Sequence, residues 1–282
     1  MARNCNRFYY RHVTSQDQIS AAVTRLSEAQ ATRVPCAPVR DLIGTDDLAA
    51  AYAVQQGLVQ ARIAGGARVV GRKIGATSEA VQNQLGVDQP DFGYLLDDMD
   101  VSVGAVAGAD SVSMATLLQP RVEGEVAFVL AKDIDPADGA EITIDLVRDA
   151  VEVALPALEI VDSRIADWAI GFTDTVADNA SSGLFVVGTD GCSLDDLEPR
   201  DVTMSLTING EERSSGTGAA CLGDPLEALR WLAVQAHRFG DPLRAGHLIL
   251  SGALGPFVPF APGDRVVATI SGFAPLSVTF KE

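Results

Sequence analysis

A chain of 282 residues is long enough to bury a full hydrophobic core, and 47% hydrophobic with 21% charged residues is the composition of an ordinary globular protein. The formal net charge of -17 argues against nucleic acid or an anionic membrane as partner, because both surfaces are polyanionic. Cys5, Cys36, Cys192 and Cys221 show no metal-ligand spacing and read as reduced thiols, and no bilayer-spanning run or signal-peptide core is evident, so a soluble, cytoplasmic protein is expected.

Residues 1–15 form a basic, aromatic tail (Arg3, Arg7, Tyr9, Tyr10, Arg11, His12) of the kind that frays. From Ser15 to about Gln30 the apolar spacing of Ile19, Ala22, Val23 and Leu26 predicts a helix. A second helix is marked by Thr45 as N-cap, Asp46 and Asp47 in its first turn, apolar positions through Ile63 and a stop at Gly65-Gly66. Val69 to Gly75 reads as a strand, Ser78 to Leu85 as a short helix, and Gly86 to Gly93 as loop. Lys73 lies in that strand, where a buried lysine can exchange protons and a surface lysine only solvates the fold.

The apolar strand Arg121 to Leu130 carries two acids. Side chains alternate along a strand, so Glu123 and Glu125 share one face while Val122, Val126, Phe128 and Leu130 line the other. A solvated face would explain such a pair by itself. Glu159, alone among aliphatics in Leu155 to Val161, shifts the reading, since an isolated buried carboxylate is expensive. Three carboxylates without neighbouring Cys or His suit a hard, oxygen-preferring ion such as Mg²⁺ or Mn²⁺.

A helix from about Ile144 to Val153 leads into the Glu159 strand, and the stretches Asp162 to Trp168 and Asp174 to Ser182 read as substrate-binding loops or plain turns. Beyond Gly183 strands predominate, with a hairpin at Asn209-Gly210 and one helix opened by Asp224 and Pro225. His12, His237 and His247 lie away from these motifs, so no catalytic histidine is assigned. Helices first and strands later indicate an α+β fold. The division is a tail (1–15), a smaller N-terminal helical part (16–90) and a β-rich catalytic core (91–282), with 16–282 counting equally as one domain.

The segments Val69 to Gly75, Gly86 to Gly93, Gln119 to Glu125, Pro156 to Glu159, Thr175 to Ser181 and Ser251 to Pro256 together resemble the 2-keto-4-pentenoate hydratases. These form the hydratase/decarboxylase branch of the fumarylacetoacetate-hydrolase-like proteins. The likeness runs from about Pro38 to the C-terminus; the first 20 or so residues have no counterpart, and Gly272 to Leu276 replaces a glycine-rich turn. The resemblance implies an N-terminal helical part on a mixed β-rich core of the fumarylacetoacetate-hydrolase C-terminal type. It also implies a divalent metal on Glu123, Glu125 and Glu159, a homo-oligomer, and a 2-hydroxy-2,4-dienoate from meta-cleavage of aromatic compounds. Hydration of such a dienoate needs a proton at C5 and water at C4. Lys73 and Asp91 are the expected acid–base pair, and Asp178 and Ser181 the groups that bind or orient the substrate carboxylate and water. The competing readings are 4-oxalocrotonate decarboxylase, whose substrate carries a second carboxylate and so calls for an extra cation, and a silent partner subunit. Diketone hydrolysis would call for a histidine. Association with a pathway decarboxylase or aldolase is a further expectation.

Overall fold

The computed structural model describes residues 14–102, 111–137 and 139–282; the expectations placed on residues 1–13, including His12 and Cys5, lie outside the described residues. Helix α1 (Gln16–Thr32) is opened by Ser15, whose hydroxyl accepts from Gln18 N while the Gln18 side chain accepts from Ser15 N. After the single turn α2 (Arg40–Ile43), α3 (Leu48–Ala64) starts later than Thr45. Asp47 is itself the cap, accepting from Ala50 N at 3.0 Å, so an acid expected inside the first turn precedes it.

Strand β1 (Val69–Gly75) is followed by α4 (Glu79–Leu85), capped by Ser78, and then by β2 (Asp91–Leu96). Pro90 and Gly93 made this region read as loop. In the fold, Gly93 is instead a point of close approach inside a strand, where a Cβ would meet Asn179 O at 2.5 Å. Next come β3 (Val112–Ser113), β4 (Pro120–Leu130), α5 (Ile144–Ala150) and β5 (Val151–Asp162). The stretch expected as polar loop contains α6 (Phe172–Ala177) and a 3-10 turn at Asn179–Ser181. The chain continues through β6 (Ser182–Val187), β7 (Thr203–Ile208), β8 (Glu211–Thr217) and α7 (Pro225–Arg238). It closes with β9 (Leu248–Leu250), β10 (Val258–Pro259), β11 (Arg265–Ile270) and β12 (Leu276–Lys281). At the β7–β8 hairpin Asn209 and Gly210 both have positive φ, as a tight primed turn requires.

Two sheets form a mixed α/β body. The larger runs β2-β1-β9-β4-β5-β6 with β10 also on β4; the smaller runs β3-β12-β11-β7-β8. Val122, Val126, Leu158 and Ile160 of the first meet Leu206, Val266, Ala268 and Phe280 of the second in one core. Gly124 lies on this face, where a Cβ would stand 3.2 Å from Met204 Cγ; the residue between the two glutamates is small because the sheets close there. The N-terminal stretch supplies β1 to the larger sheet, pairing with β2 and β9, so the helical part and the β-rich core share hydrogen bonds. No helix among the described residues is long and apolar enough to cross a membrane.

Candidate metal and acid–base site

Register builds the site. In the antiparallel β4–β5 pair Glu123 stands opposite Glu159, with Glu125 two residues along on the same face. One oxygen from each lies within 4.8 Å of the others, and all three residues are almost fully buried. Glu125 Oε2 accepts from Gly252 N at 2.8 Å. Among the described residues Glu123 Oε2, Glu125 Oε1 and Glu159 Oε2 have no hydrogen-bond partner, and Glu159 Oε1 has only the Lys73 ammonium at 3.2 Å.

Burial raises all three carboxylates, and repulsion adds to it. Glu123 is pushed up to about 8 by burial and by Glu159, Glu125 well above the usual range by burial, Glu159 and Glu123, and Glu159 by burial against the opposing pull of Lys73. Burial alone would drive Lys73 down, but Glu159, Asp91, Glu123 and Glu125 together outweigh it and hold the ammonium above its ordinary value. Both partners of the Lys73–Glu159 pair therefore move up: the lysine faces several carboxylates, the glutamate a single ammonium.

Lys73 Nζ also donates to Ala180 O at 2.9 Å, tying β1 to the turn after α6. In that turn Asn179, Ala180 and Ser181 are consecutive non-glycine residues with positive φ, a costly conformation held by its contacts. Asn179 clamps it to β2, accepting from Tyr94 N at 2.8 Å and donating to Tyr94 O at 2.9 Å. The Ser181 hydroxyl is buried and has no partner among the described residues.

Asp91 opens β2 opposite Gly75, and its Oδ2 accepts from Thr175 Oγ1 at 2.8 Å. Burial raises its carboxyl against the pull of Lys73. A Cβ on Gly75 would lie 2.2 Å from Asp91 Oδ1 and 3.3 Å from Lys73 Nζ, so both groups sit over that glycine's bare backbone. Asp178 is placed differently from the other expected site residues. Its Oδ1 accepts from Arg164 Nε at 2.5 Å and its Oδ2 from Arg164 N at 3.0 Å, while Arg164 Nη1 donates to Ser182 O at 2.6 Å. Asp178 thus braces the Ser181 turn through Arg164.

The residues that sequence reasoning gave no role are Thr175, Gly252 and Arg164. Only their places beside the acidic motifs hinted at them. His237 faces Asp135 and His247 Nδ1 accepts from Arg244 N, so neither belongs to the site.

Buried carboxylate oxygens facing one another without donors are the signature of a cation site, and anionic oxygens without nitrogen or sulfur fit a hard divalent ion. Lys73 alone leaves most of that charge unmatched.

Comparison with known proteins places this fold. Residues 88–281 match the fumarylacetoacetate (FAA) hydrolase C-terminal family model, and the chain belongs to that family. It is 49% identical to a protein of Pseudomonas putida named "TodF product hydratase" over 93% of this chain and 95% of that one. It is 48% identical to 2-keto-4-pentenoate hydratase of Paraburkholderia xenovorans over 95% of this chain and 97% of the other. Among solved structures it resembles 4-oxalocrotonate decarboxylase from Pseudomonas putida complexed with magnesium and adipate. That likeness has a TM-score of 0.86 and 30% identity over 94% of this chain and 98% of that one.

Proposed function

We propose that this chain is a hydro-lyase that adds water to 2-hydroxypenta-2,4-dienoate to give 4-hydroxy-2-oxopentanoate. The observation that carries the chemistry is the buried triad Glu123, Glu125 and Glu159 with its unpartnered oxygens, beside Lys73 and Asp91 over Gly75. The substrate follows the relatives named hydratases, at 49% and 48% identity against 30% for the decarboxylase.

When held by the triad, Mg²⁺ or Mn²⁺ supplies Lewis-acid stabilisation of the charge that builds on the substrate's C2 oxygen. Lys73, kept as an ammonium by the surrounding carboxylates, holds the proton destined for C5. Asp91 Oδ1, the oxygen not taken by Thr175, accepts the 2-hydroxyl proton. Protonation at C5 with loss of that proton turns the dienol into 2-oxopent-3-enoate. The proton on Asp91 returns to Lys73, its neighbour over Gly75. In the second half Asp91 takes a proton from the water that adds at C4, and Lys73 delivers one to C3. When that proton too passes from Asp91 to Lys73, one water has been gained and both side chains are back in their starting states. Ser181, buried with a free hydroxyl, orients the carboxylate or the water, and Asp178 positions it through Arg164.

The test is Lys73→Met. Hydration should fall by about 10²- to 10⁴-fold, the range for a positioned acid–base group, while divalent-metal binding survives. Full activity in that variant would overturn the assignment. The family resemblance also supports a cytoplasmic homo-oligomer that associates with a pathway decarboxylase or aldolase, which light scattering and co-purification test.

A further inference from the structure

Arg121 lies on the same face of β4 as the glutamates, two residues before Glu123, and the reaction above gives it nothing to do. Its guanidinium carbon stands 4.5 Å from the ring centre of Trp168 and 4.9 Å from that of Phe257. The two rings stack at 5.7 Å with 29° between their planes. Val81, Val161, Ala253 and Phe257 form a small buried cluster there, with Trp168 and Leu85 against it. Trp168 is itself fixed, its Nε1 donating to Gln119 O at 3.0 Å. Among the described residues no carboxylate pairs with Arg121, although the formal charge of the chain is -17. A half-buried guanidinium pinned on two rings, with its donors unclaimed among the described residues, is preorganised for a planar anion.

The register says which anion. Lys73 pairs with Leu250 of β9, which pairs with Ala127 of β4, so the Lys73 backbone is level with residue 127. Asp91 pairs with Gly75, two residues further along β1, and Gly252 donates to Glu125, so Asp91 is level with residue 125. Glu123 and Glu159 come next, and Arg121 last, paired with Val161. Along the sheet Asp91 therefore stands beside Glu125, Glu123 and Glu159 follow, and the guanidinium lies beyond them, while Lys73 Nζ reaches forward over Gly75 to within 3.2 Å of Glu159 Oε1. A substrate whose C3 to C5 atoms must meet Lys73 and Asp91, with its C2 oxygen at the triad, directs its C1 end towards Arg121. A distal group would point the opposite way.

We propose that Arg121, held by Trp168 and Phe257, is the subsite that recognises the C1 carboxylate of the 2-oxo acid or 2-hydroxydienoate substrate. The inference rests on the proposed function for the orientation of the ligand. Trp168 and Phe257 act as positioning residues; Arg121 touches the substrate.

The experiment is calorimetric titration of the Mg²⁺-loaded full chain with 2-oxopentanoate, a saturated analogue with one carboxylate, and with 2-oxohexanedioate, which adds a distal one. In Arg121→Gln the affinity for 2-oxopentanoate should fall roughly 30- to 150-fold, as expected for losing charge-assisted hydrogen bonds. Mg²⁺ affinity and Tm should stay at the wild-type values, and Arg121→Lys should recover part of the loss. Unchanged 2-oxopentanoate binding in Arg121→Gln overturns the proposal. So does a loss confined to 2-oxohexanedioate, which would put Arg121 at the distal end, or a parallel fall in Mg²⁺ affinity and Tm, which would make it structural. Wild-type protein that binds 2-oxopentanoate through Arg121 yet leaves the dienoate unhydrated would refute the reaction and not the subsite.

Discussion

Gly75→Ala offers a sharp perturbation of the acid–base pair, because it adds one methyl at a point the geometry defines. Gly75 has no positive φ, so alanine fits its backbone, and an alanine in a strand costs little by itself. The methyl would lie 2.2 Å from Asp91 Oδ1, where ordinary carbon–oxygen contact needs roughly 3.2 Å or more, so the carboxylate must move by about 1 Å. Lys73 Nζ, 3.3 Å from the same methyl, is crowded as well. A misplacement of about 1 Å in a reacting group costs on the order of 10²-fold in rate. Steady-state hydration of 2-hydroxypenta-2,4-dienoate at saturating Mg²⁺ should therefore show kcat reduced about 100-fold. Calorimetric Mg²⁺ affinity should remain within about 3-fold, since the glutamates are untouched. A kcat within 2-fold of wild type at unchanged Tm would refute the placement of Asp91 and Lys73 over that glycine as the proton-handling pair.

Other perturbations separate the remaining roles. Glu123→Gln removes a charged ligand and should abolish metal-dependent activity without lowering the Tm of the metal-free protein, read by calorimetry and circular dichroism. The metal-free protein should lose stability as pH rises. Burial and mutual repulsion raise the glutamates, Glu123 to about 8, so the fold keeps protons that the unfolded chain has already released. Their contribution is complete below the ordinary carboxylate value and lost as pH climbs through the raised values. A metal-free Tm that rises between about pH 5 and about pH 8 would contradict this sign. Metal must displace those protons, so Mg²⁺ affinity should increase over the same interval, with proton release seen as a buffer-dependent binding enthalpy. Asp178→Ala leaves the Arg164 guanidinium buried without its carboxylate and should cost ~3–5 kcal/mol in denaturant unfolding; a loss under 1 kcal/mol would remove the bracing role. Ser181→Ala should raise KM for the dienoate with little change in Tm, because the hydroxyl has no partner among the described residues to lose.

The acidic constellation was legible because it breaks the pattern of its strands. Acids at Glu123, Glu125 and Glu159 among aliphatics are anomalies that periodicity exposes. What periodicity could not give was register. The direct pairing of Glu123 with Glu159, and the path by which β9 enters between β1 and β4, depend on contacts far apart in the chain. The same gap hid β2, whose Pro90 and Gly93 look like turn chemistry until Asn179 is seen pressed against Gly93. Asp178 shows the converse limit. Its setting among small polar residues suggested a substrate ligand, while the fold commits its carboxylate to Arg164, fourteen residues earlier. Arg121 shared the most informative strand of the sequence and carried no signal of its own, since only the fold stacks Trp168 and Phe257 beneath it.

The central claim is tested most directly by stripping the purified protein of metal and following the diene absorbance of 2-hydroxypenta-2,4-dienoate with and without added Mg²⁺ or Mn²⁺, with identification of the product. Loss of the diene only when metal is restored, giving 4-hydroxy-2-oxopentanoate, is the predicted result. Metal-independent turnover, or inertness towards the dienoate together with CO₂ release from 2-oxo-3-hexenedioate, would contradict it.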